Sequence, residues 1–300
     1  CGNNVITLCP DTTHQTMDGF GYAITYSTCY NLLKMKARDR HRFLVNTFSP
    51  TKGLGVSYIR TSIGCSDFSS TEYSLCDSPG LENFALHDDE THYVIPIIKE
   101  ILDINPNVKV IAAPWTCPKW MKVKNLRTLE KHDSWTSGHL NPNMRSTYAQ
   151  YFVKFVQAFA QQGIHIHAVT PQNEPLNQGN CASLFMPWDE QAEFIPHLAA
   201  AFKKAGLPTK IYCFDHNWNY DNMREQKEYP VRIFNALTNE YEGSELVVGS
   251  AWHDYGGEAS ELDHINSLLP DKEVIFTEAS IGTWNDGRNL QKRLLTDMNR

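Results

Sequence analysis

The chain has 300 residues, of which 41% are hydrophobic and 20% are charged, so it holds enough apolar material for one sizeable core. Its formal net charge of −7 argues against nucleic acid or an anionic membrane as a partner. No apolar run approaches the ~20 residues of a membrane-spanning helix, so no transmembrane segment is expected.

Short apolar strands alternate with amphipathic helices along the chain, a pattern typical of a parallel α/β fold. Strands are predicted at 16–24, 56–63, 109–115, 165–170, 210–215, 246–253 and 274–278. Helices are predicted at 30–47, 144–162, 189–205, 231–241 and 258–269, and a long polar loop is predicted at 126–142. Seven such units favour a (β/α)8 TIM barrel over an open sheet.

The eighth strand of such a barrel is not in view. The chain stops at Arg300, inside what reads as the helix after the seventh strand. A barrel that lacks one strand has two open edges with unpaired backbone groups. We therefore expect these 300 residues to be a portion of a longer protein.

Cysteine usage gives a further constraint. The eight cysteines are irregularly spaced and form no C-x-x-C pair, which argues against a zinc framework or a dense disulfide scaffold. Most are expected to be buried thiols, with one or two disulfides left open. Cys1 followed by polar residues is how a mature bacterial lipoprotein begins, with a lipid on the cysteine, but an arbitrary chain start would look the same.

Polar and aromatic residues accumulate where the predicted strands end. Six strand ends carry them, at 62–67, 113–116, 172–175, 215–217, 252–255 and 277–280. The sites of barrel enzymes lie at the carboxyl ends of the strands, so these residues are expected to line one cup. A polar, aromatic cup favours a sugar or polyol ligand, because sugar C–H faces stack on aromatic rings. Any single strand end could equally be a structural loop.

Two carboxylates stand out in this cup. Glu174 ends the fourth predicted strand and Glu278 ends the seventh, and these strands face each other across a barrel. Glycoside hydrolysis needs one carboxyl group with a raised pKa to protonate the leaving oxygen and a second, ionised group to attack the anomeric carbon. Retention of configuration requires the two groups to lie ~5–5.5 Å apart. The alternative is a pair of solvated strand-end glutamates.

Other candidates are weighed in the same way. Asn173 can hydrogen-bond a sugar 2-hydroxyl or simply stabilise a turn. His253 ends the sixth strand and is expected to contact or orient the substrate. His165 and His167 share a strand face and could form a metal pair, although packing in the barrel is favoured. Cys117 has no base positioned by the sequence, so it is not expected to act as a nucleophile.

These segments resemble the motifs of glycoside hydrolase family 30, which includes glucosylceramidase. The motifs lie, in the order of the family, at 17–21, 59–60, 67–68, 113–122, 169–175, 253–255 and 276–278. The tryptophan segment 113–122 and the Asn-Glu-Pro segment are specific in combination, whereas Asn-Glu-Pro alone indicates only the wider clan of barrel glycosidases. The resemblance covers nearly the whole chain.

The resemblance implies a retaining β-glycosidase with Glu174 as acid/base and Glu278 as nucleophile, and with no metal or cofactor. It implies that the reacting glucose is bound by Asp67, Trp115, Asn173, His253 and Tyr255. The segments 214–217 and 253–257 are most similar to the branch that cleaves β-1,6-glucan in an endo fashion. A glucosylceramidase-like β-glucosidase is the alternative.

The resemblance also implies a second domain, a β-sandwich built from both chain ends. Residues 1–13 would supply its N-terminal strand, and residues 14–300 would form the barrel, incomplete at its C-terminal end. The protein would be extracytoplasmic, either secreted or a cell-surface or periplasmic lipoprotein anchored through Cys1, and would act on a glucan or glucoside. A non-catalytic glycan-binding lipoprotein is disfavoured because both carboxylates are intact, and a metal-dependent hydrolase would reveal itself by sensitivity to a chelator.

Overall fold

A computed structural model describes residues 9–13, 15–237 and 240–280 of the chain. Its main sheet has seven parallel strands in sequential order. They are β1 (Gly21–Ala23), β2 (Tyr58–Ser62), β3 (Lys109–Ala113), β4 (Ile166–Val169), β5 (Lys210–Asn217), β6 (Val247–His253) and β7 (Glu273–Glu278). All seven strands predicted from the sequence are present, so the predicted (β/α)8 architecture is confirmed over these residues.

Helices connect consecutive strands, as the right-handed crossovers of a parallel sheet require. They are α1 (Tyr26–Lys34), α2 (Ala37–Phe48), α3 (Ile95–Ile104), α4 (Arg145–Gln161), α5 (Trp188–Lys204), α6 (Tyr229–Ala236) and α7 (Glu261–Leu268). One π-helical turn covers Asp89–Val94, and 3₁₀ turns cover Leu81–Asn83, Lys119–Met121, Pro142–Met144, Tyr220–Asn222, Arg224–Gln226 and Ser244–Leu246. Among the described residues, no helix is both long enough and apolar enough to cross a bilayer.

The sheet curls, because side chains of β2 meet those of β5 and β7. Arg60 on β2 contacts Asp215 on β5 and Glu278 on β7, which an open flat sheet would hold several strands apart. The curled inner face is filled by a small apolar layer of Ile111, Ala168, Tyr212 and Ala251. The site residues therefore lie above a packed barrel interior.

The larger core lies between the sheet and its helices. On α4, Tyr148, Tyr151, Phe152, Phe155 and Phe159 are fully buried, at the i, i+3, i+4 spacing of one helix face. Burial of an aromatic side chain of this size stabilises the fold by roughly 2–3 kcal/mol. This face anchors α4, which leads directly into β4 and thereby positions the end of that strand.

Three local expectations differ from the structure. The helix predicted at 30–47 is two helices, because Met35 and Lys36 adopt extended backbone angles between them. The predicted loop at 126–142 contains one strand of a short antiparallel hairpin, His139–Leu140 paired with Lys122–Val123. The helix predicted at 231–241 ends at Ala236 in the structure.

The predictions on the cysteines and on the N-terminal segment can be compared with the structure only in part. The seven cysteines within the described residues are all free thiols, and five of them are buried as expected. Cys1, with its predicted lipid, and the rest of residues 1–8 of the predicted side-domain segment 1–13 lie outside the described residues. The predicted division into residues 1–13 and 14–300 stays a prediction.

Candidate active site

Glu174 and Glu278 stand at the carboxyl ends of opposing strands, β4 and β7. Glu174 lies in the turn after β4 with φ +44°, an angle rare outside glycine, and its N–H donates to the carbonyl of Asp215 over 3.0 Å. A carboxylate oxygen of Glu174, a carboxylate oxygen of Glu278 and a ring nitrogen of His253 all lie within 4.8 Å of one another. The two carboxylates therefore lie close enough to flank a single glycosidic bond.

The Glu278 carboxylate is oriented from both sides by hydrogen-bond donors. Arg60 donates from Nη1 to Oε2 over 2.7 Å, and the Tyr255 hydroxyl donates to Oε1 over 3.0 Å. The Glu278 side chain is 24% exposed, so it remains accessible from the open end of the site. Burial, followed by the charge of Glu278, raises the pKa of Tyr255, which keeps the phenol a donor.

Arg60 connects three strands in the middle of the site. Its Nη2 donates to Asn173 Oδ1 (2.7 Å) and to Asp215 Oδ2 (2.9 Å), while Nη1 binds Glu278. Burial alone would lower the pKa of this guanidinium, but Asp215 and Glu278 outweigh burial and raise it. Trp115 lies over the guanidinium, with its ring centre 5.1 Å away. Arg60 thus places a positive charge in contact with the carboxylates of Asp215 and Glu278.

Asp215 is the buried anion on which this network rests. It accepts hydrogen bonds from Arg60, from His253 Nε2 (2.9 Å), from Thr170 (2.6 Å) and from Thr277 (2.5 Å). Asp215 has φ +74° and sits at a bulge, where it is skipped in the pairing between β5 and β6. Burial would raise the pKa of its carboxyl, but Arg60 and His253 lower it well below the usual range.

Glu174 is buried and surrounded by groups that favour its ionised form. His253 Nδ1 lies 3.4 Å from Oε1, and the amides of Asn177 and Asn180 donate to Oε2 over 2.8 and 2.9 Å. Burial would raise the pKa of Glu174, but the hydrogen bond and charge of His253 and the hydrogen bond of Asn177 lower it to about 2. The raised pKa expected of an acid catalyst is therefore not found for Glu174.

His253 is fully buried and contacts two carboxylates, Glu174 through Nδ1 and Asp215 through Nε2. Burial would lower the pKa of its ring, but Glu278 and Asp215 outweigh burial and raise it to about 9. Of the two roles considered for His253, substrate contact and orientation, this placement favours orientation. Asn173 turns its carbonyl oxygen toward Arg60, so its NH₂ group lies on the other side of the amide.

The remaining predicted residues lie around this network. Asp67 follows β2 at the rim and is exposed, yet partial desolvation together with Glu278 and Glu174 raises its pKa to about 6. Trp115 is only 4% exposed. Together with Tyr255, these residues complete the predicted set, and the structure brings all seven of its members to one end of the barrel.

A buried lysine holds the loops that border the site. Lys122 is 1% exposed, and its ammonium donates to Thr116 Oγ1 (3.0 Å) and to the carbonyls of Ser134 (3.0 Å) and Ser183 (2.9 Å). Three acceptors satisfy the three N–H groups of one ammonium. Burial lowers the pKa of Lys122 to about 8. This contact fixes the segment after β4 that also carries the two amides bound to Glu174.

The competing candidates have other surroundings. His165 is exposed and His167 lies at the opposite end of the barrel beside Tyr58, with 6.0 Å between the rings of His167 and Tyr58. Within the described residues, the only group of side chains spaced to share a metal ion is Glu174, His253 and Glu278. Cys117 is fully buried, and burial raises the pKa of its thiol to about 12, which leaves it a poor nucleophile.

No individual role was predicted for Arg60, Asp215 or His216, although they lie in the segments 59–60 and 214–217, and Asn177 and Asn180 were not singled out at all. Two of them carried a signal, because Arg60 interrupts an apolar strand and Asp215 ends one. The two asparagines lie in an irregular loop, where such residues are ordinary. Their function becomes visible only when the loop folds back over Glu174.

Comparison with known proteins identifies a family and several relatives. The profile of the glycosyl hydrolase family 30 TIM-barrel domain matches residues 17–292. An endo-1,6-β-D-glucanase of Trichoderma harzianum is 31% identical over 291 residues, which cover 90% of this chain and 56% of that protein. The lysosomal acid glucosylceramidase of Mus musculus is 27% identical over 314 residues, covering 98% of this chain and 59% of that protein.

A solved structure gives a stronger match. The endo-β-1,6-glucanase BT3312 is 59% identical and superposes with a TM-score of 0.90, covering 98% of this chain and 64% of that one. The chain thus spans a little over half the length of the curated relatives it matches.

Proposed function

Because the chain belongs to glycosyl hydrolase family 30, we propose that it is the catalytic barrel of a retaining endo-β-1,6-glucanase. The observation that carries this proposal is the pair of opposed carboxylates, Glu174 and Glu278, which have carboxylate oxygens within 4.8 Å of each other. That spacing suits direct attack by one carboxylate and leaves little room for the intervening water of an inverting enzyme. The 59% identity to an endo-β-1,6-glucanase supports the substrate class.

In the first step, Glu278 attacks the anomeric carbon while the bond to the leaving oxygen breaks. Arg60 and Tyr255 hold the attacking carboxylate in one orientation, so little reorganisation is needed. Glu174 gives a proton to the departing oxygen, and a covalent glucosyl ester forms on Glu278. In the second step, water attacks the same carbon, Glu174 accepts the proton of that water, and Glu278 is released.

The proton for the first step resides on the pair formed by Glu174 and His253. The pKa of His253 is raised to about 9 and that of Glu174 is lowered to about 2, so at neutral pH the pair holds one proton, on the imidazole. Transfer along the contact between Nδ1 and Oε1 makes Glu174 the acid without any change in the number of protons bound. The ion pair of Glu174 with His253 and the form with protonated Glu174 are therefore two arrangements that bind the same number of protons.

The substrate contacts follow from the same geometry. The NH₂ group of Asn173 is proposed to donate to the sugar 2-hydroxyl, since Arg60 occupies its carbonyl oxygen. Asp67 at the rim is proposed to accept hydrogen bonds from sugar hydroxyls, and Trp115 to form an apolar wall of the site together with Tyr255. His253 acts on the substrate through Glu174.

The proposed substrate also bears on location. A β-1,6-glucan is a polymer that does not cross a lipid bilayer, so an enzyme that cleaves it works outside the cytoplasm. We therefore propose an extracytoplasmic protein, with lipid attachment at Cys1 as its form of anchoring. Mass spectrometry of Cys1 in the native protein tests the anchor, and an unmodified terminus in the mature protein contradicts it.

The function is tested by assaying the whole protein and two variants on β-1,6-glucan, with a glucosylceramide in parallel. Glu278→Ala removes the proposed nucleophile. Glu273→Ala, on the same strand, removes an exposed carboxylate at the other end of β7 and serves as the matched control. We expect short oligosaccharides from the glucan, full activity in the control, and a loss of at least ~10⁴-fold for Glu278→Ala.

Each other outcome has a defined meaning. Hydrolysis of the lipid alone would replace the glucanase with the glucosylceramidase alternative, which the 27% identity to a glucosylceramidase keeps in view. Equal activity of Glu278→Ala and the parent would contradict the two-carboxylate mechanism. Loss of activity in EDTA would point to a metal-dependent hydrolase.

A further inference from the structure

His216 is a buried histidine next to the acid/base residue. It lies on β5, is fully buried, and its ring packs edge-on to that of His253, with centres 6.2 Å apart. The mechanism described above does not use it.

The protonation of this ring is fixed by the backbone. The N–H of Leu176 donates to His216 Nδ1 over 3.4 Å, so Nδ1 is an acceptor and a neutral ring must carry its proton on Nε2. Burial, as the largest influence, lowers the pKa of His216, so the neutral form is the resting form. His216 therefore presents a single N–H donor from Nε2.

That donor lies near two carboxylates without bonding to either. His216 Nε2 lies 4.0 Å from Glu174 Oε1 and 3.4 Å from Asp221 Oδ1, and it has no hydrogen-bond partner among the described residues. A buried N–H group without a partner costs free energy, so its retention needs a reason. The reason must lie in a state in which the charge on Glu174 is less well compensated than here.

The covalent intermediate is such a state. In the structure, His253 is held protonated chiefly by the charge of Glu278 and then by Asp215. Formation of the ester removes the charge of Glu278, and departure of the leaving group removes one proton from the pair of Glu174 and His253. Glu174 then remains a buried carboxylate beside a neutral imidazole.

We propose that His216 is a positioning residue that holds Glu174 as a carboxylate in the covalent intermediate, by donating from Nε2 to Oε1 while Glu174 acts as base. This inference rests on the proposed retaining mechanism. The Asp221 carboxylate, with Oδ1 3.4 Å from Nε2, competes for the same N–H group. The groups that face the pair are His253 from β6, Asp215 from β5, Asn177 and Asn180 from the loop after β4, and Asp67 and Tyr255 at a greater distance.

The test uses an aryl β-gentiobioside with a 2,4-dinitrophenyl leaving group, which makes the first step fast. A burst of dinitrophenol confirms that hydrolysis of the ester limits kcat. The acid limb of kcat, meaning the fall of kcat at low pH, then reports ionisation of Glu174 in the intermediate. The acid limb of kcat/KM reports ionisation of groups in the free enzyme. In His216→Leu, we expect the acid limb of kcat to move up by about 0.5–1 pH unit while the acid limb of kcat/KM stays in place.

Two further variants keep the test independent of folding defects. Asp221→Asn, at a partly exposed position, frees the N–H group for Glu174 and removes a nearby negative charge, so the same limb should move down. His216→Gln restores an N–H donor and should return the limb toward its original position.

Limbs that stay in place in all three variants, or that move together in kcat and kcat/KM, would overturn the role of His216. Absence of both burst and turnover in the parent protein would instead overturn the proposed function on which it rests.

Discussion

The two ends of the barrel carry similar charged clusters in different surroundings. At the carboxyl end, Arg60 joins Asp215 and Glu278, with side chains 8%, 0% and 24% exposed. At the amino end, Lys109 pairs with Asp18 (2.6 Å), and these side chains are 34% and 64% exposed. Both clusters use short contacts between opposite charges, so distance alone does not separate them.

Burial and connectivity do separate them. The second pair at the amino end, Lys210 with Glu273 (2.7 Å), is 32% and 47% exposed and is solvated by water when broken. At the carboxyl end each charge has two or more partners inside the protein, and loss of one leaves another buried and unpaired. The ion pairs are therefore exposed surface contacts at the amino end, whereas at the carboxyl end they are buried and orient the residues of the site.

The largest effect on stability is expected for Arg60→Met. The substitution keeps an unbranched apolar stem but removes the guanidinium from Asp215 and Glu278, so the free energy of unfolding should fall by about 3–5 kcal/mol. Urea unfolding followed by tryptophan fluorescence measures the change. A loss below about 1 kcal/mol would mean that water compensates these carboxylates, and the contrast between the two ends would disappear.

An intermediate effect is expected from the charge of His253. Its pKa is raised from 6.5 to about 9, so its contribution to stability is complete below pH 6.5 and is lost as the pH rises through 9. Between these values the wild type should lose about 2–3 kcal/mol more than His253→Gln. Urea midpoints at pH 6 and pH 9 for both proteins measure this. Parallel pH profiles would show that the ring is not charged in the folded protein.

The opposite sign applies to the carboxylates of the same cluster. The pKa values of Asp215 and Glu174 are lowered from 3.8 and 4.5, so their contribution is present above those values and is lost on acidification. The cluster should therefore be most stabilising between about pH 4.5 and 6.5.

The smallest effect is expected at the amino end. Lys109→Met and Lys210→Met are matched controls for Arg60→Met, and each should cost less than about 1 kcal/mol because both pairs are exposed. This loss in the free energy of unfolding should be smaller still in 1 M salt, which screens exposed charges. A loss equal to that of Arg60→Met would show that position along the strand does not decide the weight of these pairs.

The same contrast explains what could be predicted from the sequence. Strand positions follow from runs of apolar residues, and all seven were found because each run is a local property. Glu174 and Glu278 were identified because a carboxylate at the end of an apolar strand has no role in the core. Asn177 was not identified, and His216 was noted only as part of the segment 214–217, since their importance comes from contacts with Glu174 that form only after the chain folds.

The pKa of Glu174 shows the limit of such reasoning most clearly. The chemistry of an acid catalyst suggests a raised pKa, but the sequence does not reveal that two histidines and two amides converge on this carboxylate. The break between α1 and α2 was missed for a similar reason, because no proline or glycine marks it. Local patterns located the elements, and convergence of distant elements decided the properties of the site.

The central claim is that Glu278 forms a covalent bond to the sugar while Glu174 assists. Incubation of the whole protein with a 2-deoxy-2-fluoro-β-gentiobiosyl fluoride, followed by peptide mass spectrometry, tests this most directly. The fluorine slows hydrolysis of the ester, because it removes the 2-hydroxyl contact that strengthens in the transition state. We predict one fluorinated glycosyl unit on the peptide that contains Glu278. An unlabelled protein that still hydrolyses glucan, or a label on Asp67 or Glu174 instead, would contradict the assignment.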